Sequence, residues 1–310
     1  MQGMRIGVGL GFTSPVESLD DALARFREAE AAGFHTAWVP NIFSRDALTL
    51  IALGGRETST IELGTAVVPT FSRHPFYMAQ QAATTQEATR GRLVLGLGPS
   101  HKVVVEDLLG LSFEKPARHV REYLTVLRAL LDTGRVSFEG ETYRVNAQLE
   151  RPEALRIPVL IGGLGKVMRG IAGSLADGTI TWMTGPKTLG DTLVPAIAKA
   201  AAQAGRKAPR IVCGLPIALT DDPAGAREAM SKAMSIYGTL PSYRAMLDIE
   251  GVTSPGDIAI AGDRREIERS LRTLADAGVT DFNAAIFGFG SDRAAAAART
   301  YELLAQLARG

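Results

Sequence analysis

His101 is the first candidate for proton transfer in this sequence. It follows residues 93–98, an apolar run typical of a buried strand, after the short linker Pro99-Ser100. Catalytic groups in α/β proteins lie in the loops that follow parallel strands, and an imidazole with an ordinary pKa of about 6.5 transfers protons near neutral pH. We therefore predict that His101 is a proton donor, with Ser100 acting through a water molecule as the second candidate. An exposed loop histidine or a phosphate contact is the alternative for His101.

A glycine-rich turn offers a second kind of chemistry, the binding of an anion. The run Ile161-Gly162-Gly163-Leu164-Gly165-Lys166 passes from a strand pattern into a helix pattern. Glycines let the backbone approach a ligand closely, and the free N–H groups of a helix N-terminus bind phosphate. The run is not a Walker A loop, because Leu160 and Val167 stand at two of its defining positions. We predict that Gly162, Gly163, Leu164 and Gly165 bind phosphate or pyrophosphate; a tight turn that needs glycine is the alternative.

The other histidines and the single cysteine are not arranged for chemistry. His74 precedes a predicted helix and is expected to orient its first turn, whereas His35 and His119 flank helices and are expected at the surface. Cys213 lies in an apolar run and is expected to be a small buried residue. Metal-ligand spacings, HExxH and a serine nucleophile elbow are all missing from the sequence. We predict no metal site, and chemistry delivered by a bound organic cofactor.

The composition narrows the class of protein. The 310 residues are 46% hydrophobic and carry a formal charge of +1, without a long run of Lys and Arg that would indicate a nucleic-acid surface. No apolar run reaches the roughly 18 residues of a membrane span, and no secretion signal is evident. One cysteine cannot form an internal disulfide. We expect a single α/β domain over residues 1–310, soluble and cytoplasmic, whose partner is a small-molecule substrate rather than nucleic acid or membrane.

Strand and helix patterns alternate along the whole chain. Strands are predicted over residues 5–10, 36–40, 61–68, 93–98, 159–161, 179–183, 211–219 and 281–286. Helices are predicted over residues 19–32, 47–58, 75–89, 119–131, 166–176, 189–204, 224–236 and 293–308. Eight strand–helix units in a chain of this length are typical of a (β/α)8 TIM barrel. An open doubly wound sheet is the main alternative.

Two stretches interrupt the alternation and are predicted to be insertions. The first, near residues 136–150, contains a hairpin pattern at residues 138–145 that turns at Glu139-Gly140. The second, residues 238–265, is polar and rich in proline and glycine, and a further helix is predicted at residues 263–277. Such insertions either cap the active-site face of a barrel or are plain surface excursions.

Several motifs, in this order, resemble those of the bacterial luciferase-like flavin and deazaflavin oxidoreductases: AEAAGFHTAWVP, LGTAVVPTFSRHP, GRLVLGLG, PVLIGG and AGSLADGTITWMTGP. The likeness extends over nearly the whole chain and is closest to the actinobacterial F420-dependent branch. It implies a TIM barrel of the luciferase-like type, whose cofactor ring lies across the C-terminal ends of the strands.

The resemblance also implies a cofactor site at the strand ends. In such relatives the third strand ends in a bulge with a non-prolyl cis peptide behind the ring, which maps onto Ala66-Val67, although an ordinary buried strand explains the same letters. Trp182, Met183, Phe287 and Phe289 are expected to form an apolar wall over the ring or part of the core. The implied cofactor contacts besides the glycine turn are Asn41, Ala66, Val67, Val68, Gly98, Met183 and Thr184.

The chain departs from that family pattern at the acid/base positions. Many deazaflavin-dependent relatives carry Asp-His after the second strand, and Asn41-Ile42 occupies the matching positions here. The loop after the fourth strand often carries a glutamate, where this chain has Pro99-Ser100-His101. The familiar acid/base histidine is therefore absent, and His101 takes the predicted role.

The function that the resemblance implies is hydride transfer between coenzyme F420 and a small organic substrate. The alternative cofactor is FMN, whose reduced form would make the protein a monooxygenase; a non-catalytic deazaflavin-binding protein is a further alternative. F420 carries a polyglutamate tail that Lys166, Arg169 or Lys187 would meet, which distinguishes the two cofactors. Relatives are commonly homodimers, so a homodimer is expected.

Overall fold

The computed structural model describes residues 3–11, 18–150 and 156–310, and its centre is a closed barrel of eight parallel strands. The strands of the chain are β1 (Arg5–Gly9), β2 (Thr36–Val39), β3 (Glu62–Thr65), β4 (Val68–Pro69), β5 (Leu93–Gly98), β6 (Arg135–Glu139), β7 (Arg144–Gln148), β8 (Val159–Ile161), β9 (Gly178–Trp182), β10 (Arg210–Leu219), β11 (Ile260–Gly262) and β12 (Asp281–Ile286). The barrel order is β1-β2-β3-β5-β8-β9-β10-β12, and β12 pairs with β1 to close the ring. This closure confirms the predicted TIM barrel, and the open doubly wound sheet is wrong.

Helices surround the barrel at the positions that the sequence predicts. They are α1 (Leu19–Ala32), α2 (Ala47–Glu57), α3 (Pro75–Ala88), α4 (Pro116–Thr133), α5 (Lys166–Leu175), α6 (Pro186–Thr188), α7 (Val194–Gln203), α8 (Pro223–Ala233), α9 (Ser235–Thr239), α10 (Pro241–Glu250), α11 (Arg264–Asp276) and α12 (Arg293–Arg309). The short helices α6, α9 and α10 are ones that the sequence did not predict. A local cap fixes the start of α3. His74 immediately precedes Pro75, the first helical residue, and its side chain accepts a hydrogen bond from the Phe76 N–H, as predicted. Across the described part of the chain, no helix is both long and apolar enough to cross a membrane.

The barrel strands are apolar without alternation because both of their faces are covered. One face packs against the surrounding helices, and the other points into the barrel. Trp38, Val94, Leu160, Ile180 and Val212 fill the inside. Trp38 is the largest of them, and its indole spans the space over Gly7 and Gly64, where a Cβ would lie only 2.7 and 2.3 Å from the ring.

Charged side chains close the N-terminal end of the barrel. Arg5, Glu62, Arg210 and Asp281 are each the first residue of a strand. Arg5 and Arg210 both donate to Glu62, at 2.8 Å each, and both pair with Asp281 at 2.7 Å. The Arg210 guanidinium also lies 5.5 Å from the centre of the Trp38 ring, a cation–π contact. The network therefore supports the apolar filling from below and leaves the C-terminal end as the open end.

The first insertion is a hairpin, as predicted, but it is longer than expected, and it turns at residues 140–143 rather than at Glu139-Gly140. Strands β6 and β7 pair antiparallel from Arg135–Gln148 to Glu139–Arg144. The Glu122 carboxylate of α4 accepts backbone hydrogen bonds from residues 141, 142 and 143 at 2.7 to 3.1 Å. The hairpin tip is therefore fixed to α4.

The second insertion is far more ordered than its polar, glycine-rich sequence indicated. It contains α9, α10, a 3₁₀ turn at Pro255–Ile258, and β11. β11 pairs in parallel with the outer half of β10, from Ile217 to Leu219. Burial of Ile258 and Ile260 accounts for this order. The helix predicted at residues 263–277 is confirmed as α11.

The charge network at the barrel base yields a stability prediction. Asp281→Asn leaves Arg5 and Arg210 short of a buried partner, so the free energy of unfolding should fall by about 3 kcal/mol, as measured by urea denaturation. Glu139→Gln is the matched control, because its pair with Arg144 is exposed on both sides, and its effect should stay within about 0.5 kcal/mol. Equal effects of the two variants would show that the network does not stabilise the barrel.

Candidate functional site

The third barrel strand bulges at its C-terminal end. Gly64 pairs with Val94 and Val68 pairs with Leu97, so three residues on one strand face two on the other. Within the bulge the Ala66–Val67 peptide is cis, at the position that the resemblance implied. The Thr65 hydroxyl accepts from the Gly96 N–H at 2.8 Å and donates to the Gly96 carbonyl at 2.7 Å. This side chain takes the place of the ladder hydrogen bonds that the bulge interrupts.

Glycines surround the bulge at the open end of the barrel. Gly96, Gly98, Gly162 and Gly214 lie at even spacings from Val94, Leu160 and Val212, so they face the barrel interior. A Cβ on Gly96 would lie 2.0 Å from the Thr65 carbonyl oxygen, and one on Gly98 would lie 2.7 Å from Val67 Cγ2. The mouth above Trp38 is therefore lined largely by backbone, by the bulge and by Trp182, whose Cε3 lies 2.9 Å from where a Cβ on Gly214 would be. We call this glycine-lined part of the mouth the recess.

The structure brings some of the predicted cofactor contacts to this recess and not others. Ala66 and Val67 are partly exposed, and Gly98 and Gly162 lie beside Val67. The Val68 side chain is fully buried in the outer core with the helices, so it has no surface for a ligand. Asn41 borders the mouth, but its Oδ1 accepts from the Ala47 N–H at 3.0 Å and so holds the loop before α2.

Met183 and Thr184 follow β9 but support the mouth from beneath rather than line it. Met183 is buried with a positive φ of 50°, and its N–H donates to the Gly214 carbonyl at 3.2 Å. The buried Thr184 hydroxyl donates to the Trp182 carbonyl at 3.2 Å. Because protein atoms cover both side chains completely, neither presents a surface that a ligand could contact.

The glycine turn ends in an open helix N-terminus. Gly165 is the N-cap of α5 and makes no side-chain cap hydrogen bond, and a Cβ there would meet no atom within 4 Å. Gly162 donates to the Leu97 carbonyl at 2.6 Å, which fixes the turn to β5. Leu164 is buried, and its carbonyl accepts from Arg169 Nε at 2.8 Å. The N–H groups of the first turn of α5 therefore face open space and are available to an anion.

His101 lies at the mouth against a side chain that the sequence did not single out. It follows Ser100, which has a left-handed φ of 62°, and its half-buried ring centre lies 5.6 Å from that of Tyr243 in α10. Burial lowers the pKa of His101 below its usual 6.5. Burial therefore favours the neutral form of the imidazole, which carries one N–H donor and one acceptor nitrogen.

The second insertion packs at the C-terminal end of the barrel, beside the end of β9. The Tyr243 ring lies 5.0 Å from that of Tyr237 in α9, which in turn lies 6.0 Å from Trp182 at the end of β9. The Glu250 carboxylate at the end of α10 accepts from the N–H groups of Lys187 and Thr188 at 3.1 and 2.7 Å. The insertion is thereby fixed to the loop after β9.

The predicted apolar wall has different members from those expected. Trp182 lies at the mouth, but Phe287 packs with Ala218, Met230 and Ala259 outside the barrel. Phe289 lies against Gly225 of α8. Tyr243 of the insertion and Tyr237, which directly precedes it, take the place of these phenylalanines, and only their occurrence in and beside a polar segment signals this in the sequence.

His119 is buried, which corrects the expectation of a surface position. It is 4% exposed and stacks on Phe71, with ring centres 3.7 Å apart and planes 7° apart. Its Nε2 hydrogen-bonds with the Thr70 hydroxyl at 3.0 Å, and the Thr70 N–H donates to the Gly98 carbonyl at 2.9 Å. His119 therefore supports the segment that follows the bulge. His35 is exposed, as expected.

Within residues 3–11, 18–150 and 156–310, no group of three or more His, Cys, Asp or Glu side chains is arranged to hold a metal ion. Cys213 is buried, and its thiol donates to the Thr184 carbonyl at 3.7 Å.

The packing of the bulge against β5 predicts the effect of two glycine substitutions. Gly96→Ala drives a methyl group into backbone, so the free energy of unfolding should fall by about 2 kcal/mol or more. Gly170→Ala is the control, because a Cβ there meets no atom within 4 Å, and alanine in the α5 helix should stabilise by about 0.5 to 1 kcal/mol. Urea denaturation measures both. A tolerated Gly96→Ala would contradict the close approach of Thr65.

The burial of His119 predicts a dependence of stability on pH. Burial lowers its pKa from 6.5 to about 4, so between these values the unfolded chain binds a proton that the folded chain does not. The stability contribution of His119 is complete above pH 6.5 and is lost as the pH falls toward 4. His119→Gln should flatten the pH dependence of the urea midpoint in this window, whereas His35→Gln should leave it unchanged. Parallel curves for wild type and His119→Gln would refute this assignment.

Comparison with known proteins agrees with this architecture at the level of sequence. The family model described as luciferase-like monooxygenase matches residues 4–306. An uncharacterized protein of Mycobacterium tuberculosis is 31% identical over 253 residues, which are 76% of this chain and 74% of that protein. A 5,10-methylenetetrahydromethanopterin reductase of Methanolobus tindarius is 25% identical over 283 residues, which are 81% of this chain and 86% of the relative.

Solved structures share the fold. The coenzyme F420-dependent tetrahydromethanopterin reductase from Methanopyrus kandleri superposes with a TM-score of 0.81 at 24% identity, covering 98% of this chain and 97% of that one. The oxygenating constituent of 3,6-diketocamphane monooxygenase from Pseudomonas putida, in complex with FMN, superposes with a TM-score of 0.75 at 15% identity, and the match covers 98% of each chain. Since the family model matches residues 4–306, this chain belongs to the luciferase-like monooxygenase family.

Proposed function

We propose that this protein is an F420-dependent oxidoreductase that transfers a hydride between the deazaflavin and a small organic substrate. The observation that carries the proposal is the glycine-lined recess at the open end of the barrel, beside the bulge at Ala66-Val67 and next to the uncapped N-terminus of α5. The Methanopyrus structure with this fold is named as F420-dependent, and the Methanolobus relative is named as a reductase.

The recess suits a planar ring. Trp38 closes it from below. Glycine at position 98 leaves room for Val67, because a Cβ there would lie 2.7 Å from Val67 Cγ2. Ala66 and Val67 keep partial exposure and offer an apolar surface to one face of the ring. These residues would hold the ring by van der Waals contact rather than by charge.

The neighbouring helix ends suit the anionic part of the cofactor. The first turn of α5 offers N–H groups at Gly165 and Lys166, and Lys166 and Lys187 are exposed at the starts of α5 and α6. Arg169 adds a third cation beside Leu164. A phosphate group would bind the helix N-terminus. The polyglutamate tail of F420 brings further negative charge that FMN lacks, so the cations favour F420.

The side chains at the mouth would manage the proton that accompanies hydride transfer. When bound, the deazaflavin supplies or accepts the hydride and does not activate oxygen as reduced flavins do. His101 is neutral at pH 7, so it would take a proton from a substrate hydroxyl, or return one at lower pH. Ser100 would act through water. Asn41 would hydrogen-bond to a ligand without transferring a proton, because an amide does not titrate.

Titration of the apoprotein with oxidised F420 and with FMN, followed by cofactor fluorescence at fixed salt, tests the proposal. We expect F420 to bind with a dissociation constant in the micromolar range, and FMN about tenfold more weakly, a difference of about 1.4 kcal/mol. Lys166→Glu should weaken the binding of F420 more than the binding of FMN. Lys199→Glu, an exposed charge reversal in α7, is the matched control and should change neither.

The opposite preference would make the protein an FMN-dependent enzyme. Binding of neither cofactor would overturn the proposal. Tight F420 binding without turnover of any acceptor would instead indicate a non-catalytic deazaflavin-binding protein.

A further inference from the structure

We propose that Trp182, Tyr237, Tyr243 and His101 form the substrate-binding wall, and that the substrate is an uncharged apolar molecule with a single carbonyl or hydroxyl oxygen. This inference rests on the proposed function, because it assigns the substrate class of the same site. It goes further in stating what the mouth selects for and which side chains make the selection.

The wall is a continuous row of aromatic rings. Consecutive ring centres lie 6.0 Å apart for Trp182 and Tyr237, 5.0 Å for Tyr237 and Tyr243, and 5.6 Å for Tyr243 and His101. The planes of these three pairs, in the same order, meet at 68°, 78° and 52°, so neighbouring rings present edges and faces in alternation. Edges and faces of this kind bind other apolar rings and chains favourably. Because the row connects β9 to the loop after β5, it borders the recess on the side of the insertion.

The charged side chains of α10, and the lysine beside His101, are engaged with the protein itself. The Arg244 guanidinium donates to Asp248 at 2.8 Å and to the carbonyls of Val252 and Thr253 at 2.7 Å. Glu250 accepts from the backbone of the loop after β9. Lys102 pairs with Glu106 at 3.6 Å. The exposed Lys166 and Lys187 are the cations that the proposed function assigns to the cofactor, so a carboxylate or phosphate on the substrate would be desolvated at the wall without a cation of its own.

The polar atoms of the wall match one neutral oxygen. Burial raises the pKa of Tyr243, so its phenol keeps its proton and can donate it in a hydrogen bond. Burial lowers the pKa of His101, so one ring nitrogen is an acceptor. The Tyr237 hydroxyl interacts with the Trp182 side chain. A donor and an acceptor within one aromatic contact can hold a carbonyl or a hydroxyl oxygen.

The test uses the full-length apoprotein and two probes of similar size, acetophenone and benzoate. Trp182 is partly exposed at the wall, whereas Trp38 is fully buried, so saturable quenching of tryptophan fluorescence reports binding at the wall. We expect acetophenone to quench saturably and benzoate to bind about tenfold more weakly, because its charge is not compensated. Trp182→Phe should abolish the saturable component.

Substitutions separate the wall from other aromatic surfaces. Tyr243→Leu should weaken acetophenone binding about fivefold or more, and Tyr243→Phe should weaken it less, since only the hydroxyl is lost. Tyr77→Leu is the control, because Tyr77 is 65% exposed at the start of α3, and it should leave the titration unchanged. Circular dichroism verifies the fold of each variant, and Tyr243→Phe remains available if Tyr243→Leu does not fold.

Equal or tighter binding of benzoate, or quenching that does not respond to either Tyr243 variant, would overturn the inference. These measurements need no cofactor, so their failure is distinct from that of the proposed function. If F420 binds but acetophenone does not, only the inferred substrate class is wrong. If acetophenone binds saturably but neither cofactor binds, the substrate-binding wall is supported and the proposed function is wrong.

Discussion

The Thr65 hydroxyl stabilises the bulge of the third barrel strand by hydrogen bonding to both the N–H and the carbonyl of Gly96. A bulge leaves backbone groups without ladder partners, and a buried N–H or carbonyl without a partner costs about 1 to 3 kcal/mol. Thr65 satisfies these groups from within the same pair of strands. The close approach then requires glycine at position 96, because a Cβ would meet the Thr65 carbonyl. The recess at the mouth follows from this local geometry.

The barrel is built asymmetrically along its axis. Paired charges fill the base, apolar side chains led by the Trp38 indole fill the middle, and glycines are concentrated at the top. The base and middle supply buried contacts, whereas much of the top is lined by backbone. His119 and Thr70 extend the same support behind the bulge, where stacking on Phe71 and a hydrogen bond hold the chain against Gly98.

The second insertion completes one side of the mouth. It contributes Tyr243, and the Glu250 carboxylate attaches it to the backbone after β9 with two hydrogen bonds. Charge-assisted hydrogen bonds of this kind are stronger than neutral ones, so the ring is held in place by the fold. One side of the mouth is therefore lined by glycine, and the opposite side by aromatic rings.

The sequence by itself determined the barrel and the positions of its strands and helices, because buried parallel strands, helix caps and glycine turns are recorded in short stretches of neighbouring residues. It also indicated the glycine turn, His101 and the bulge, each of which lies in one such stretch. The tertiary structure decided which side chains meet. Tyr243 reaches His101, His119 is buried against Phe71, and Phe287 turns away from the mouth. These contacts join residues far apart in the chain, and only the closure of the barrel and the docking of the insertion bring them together.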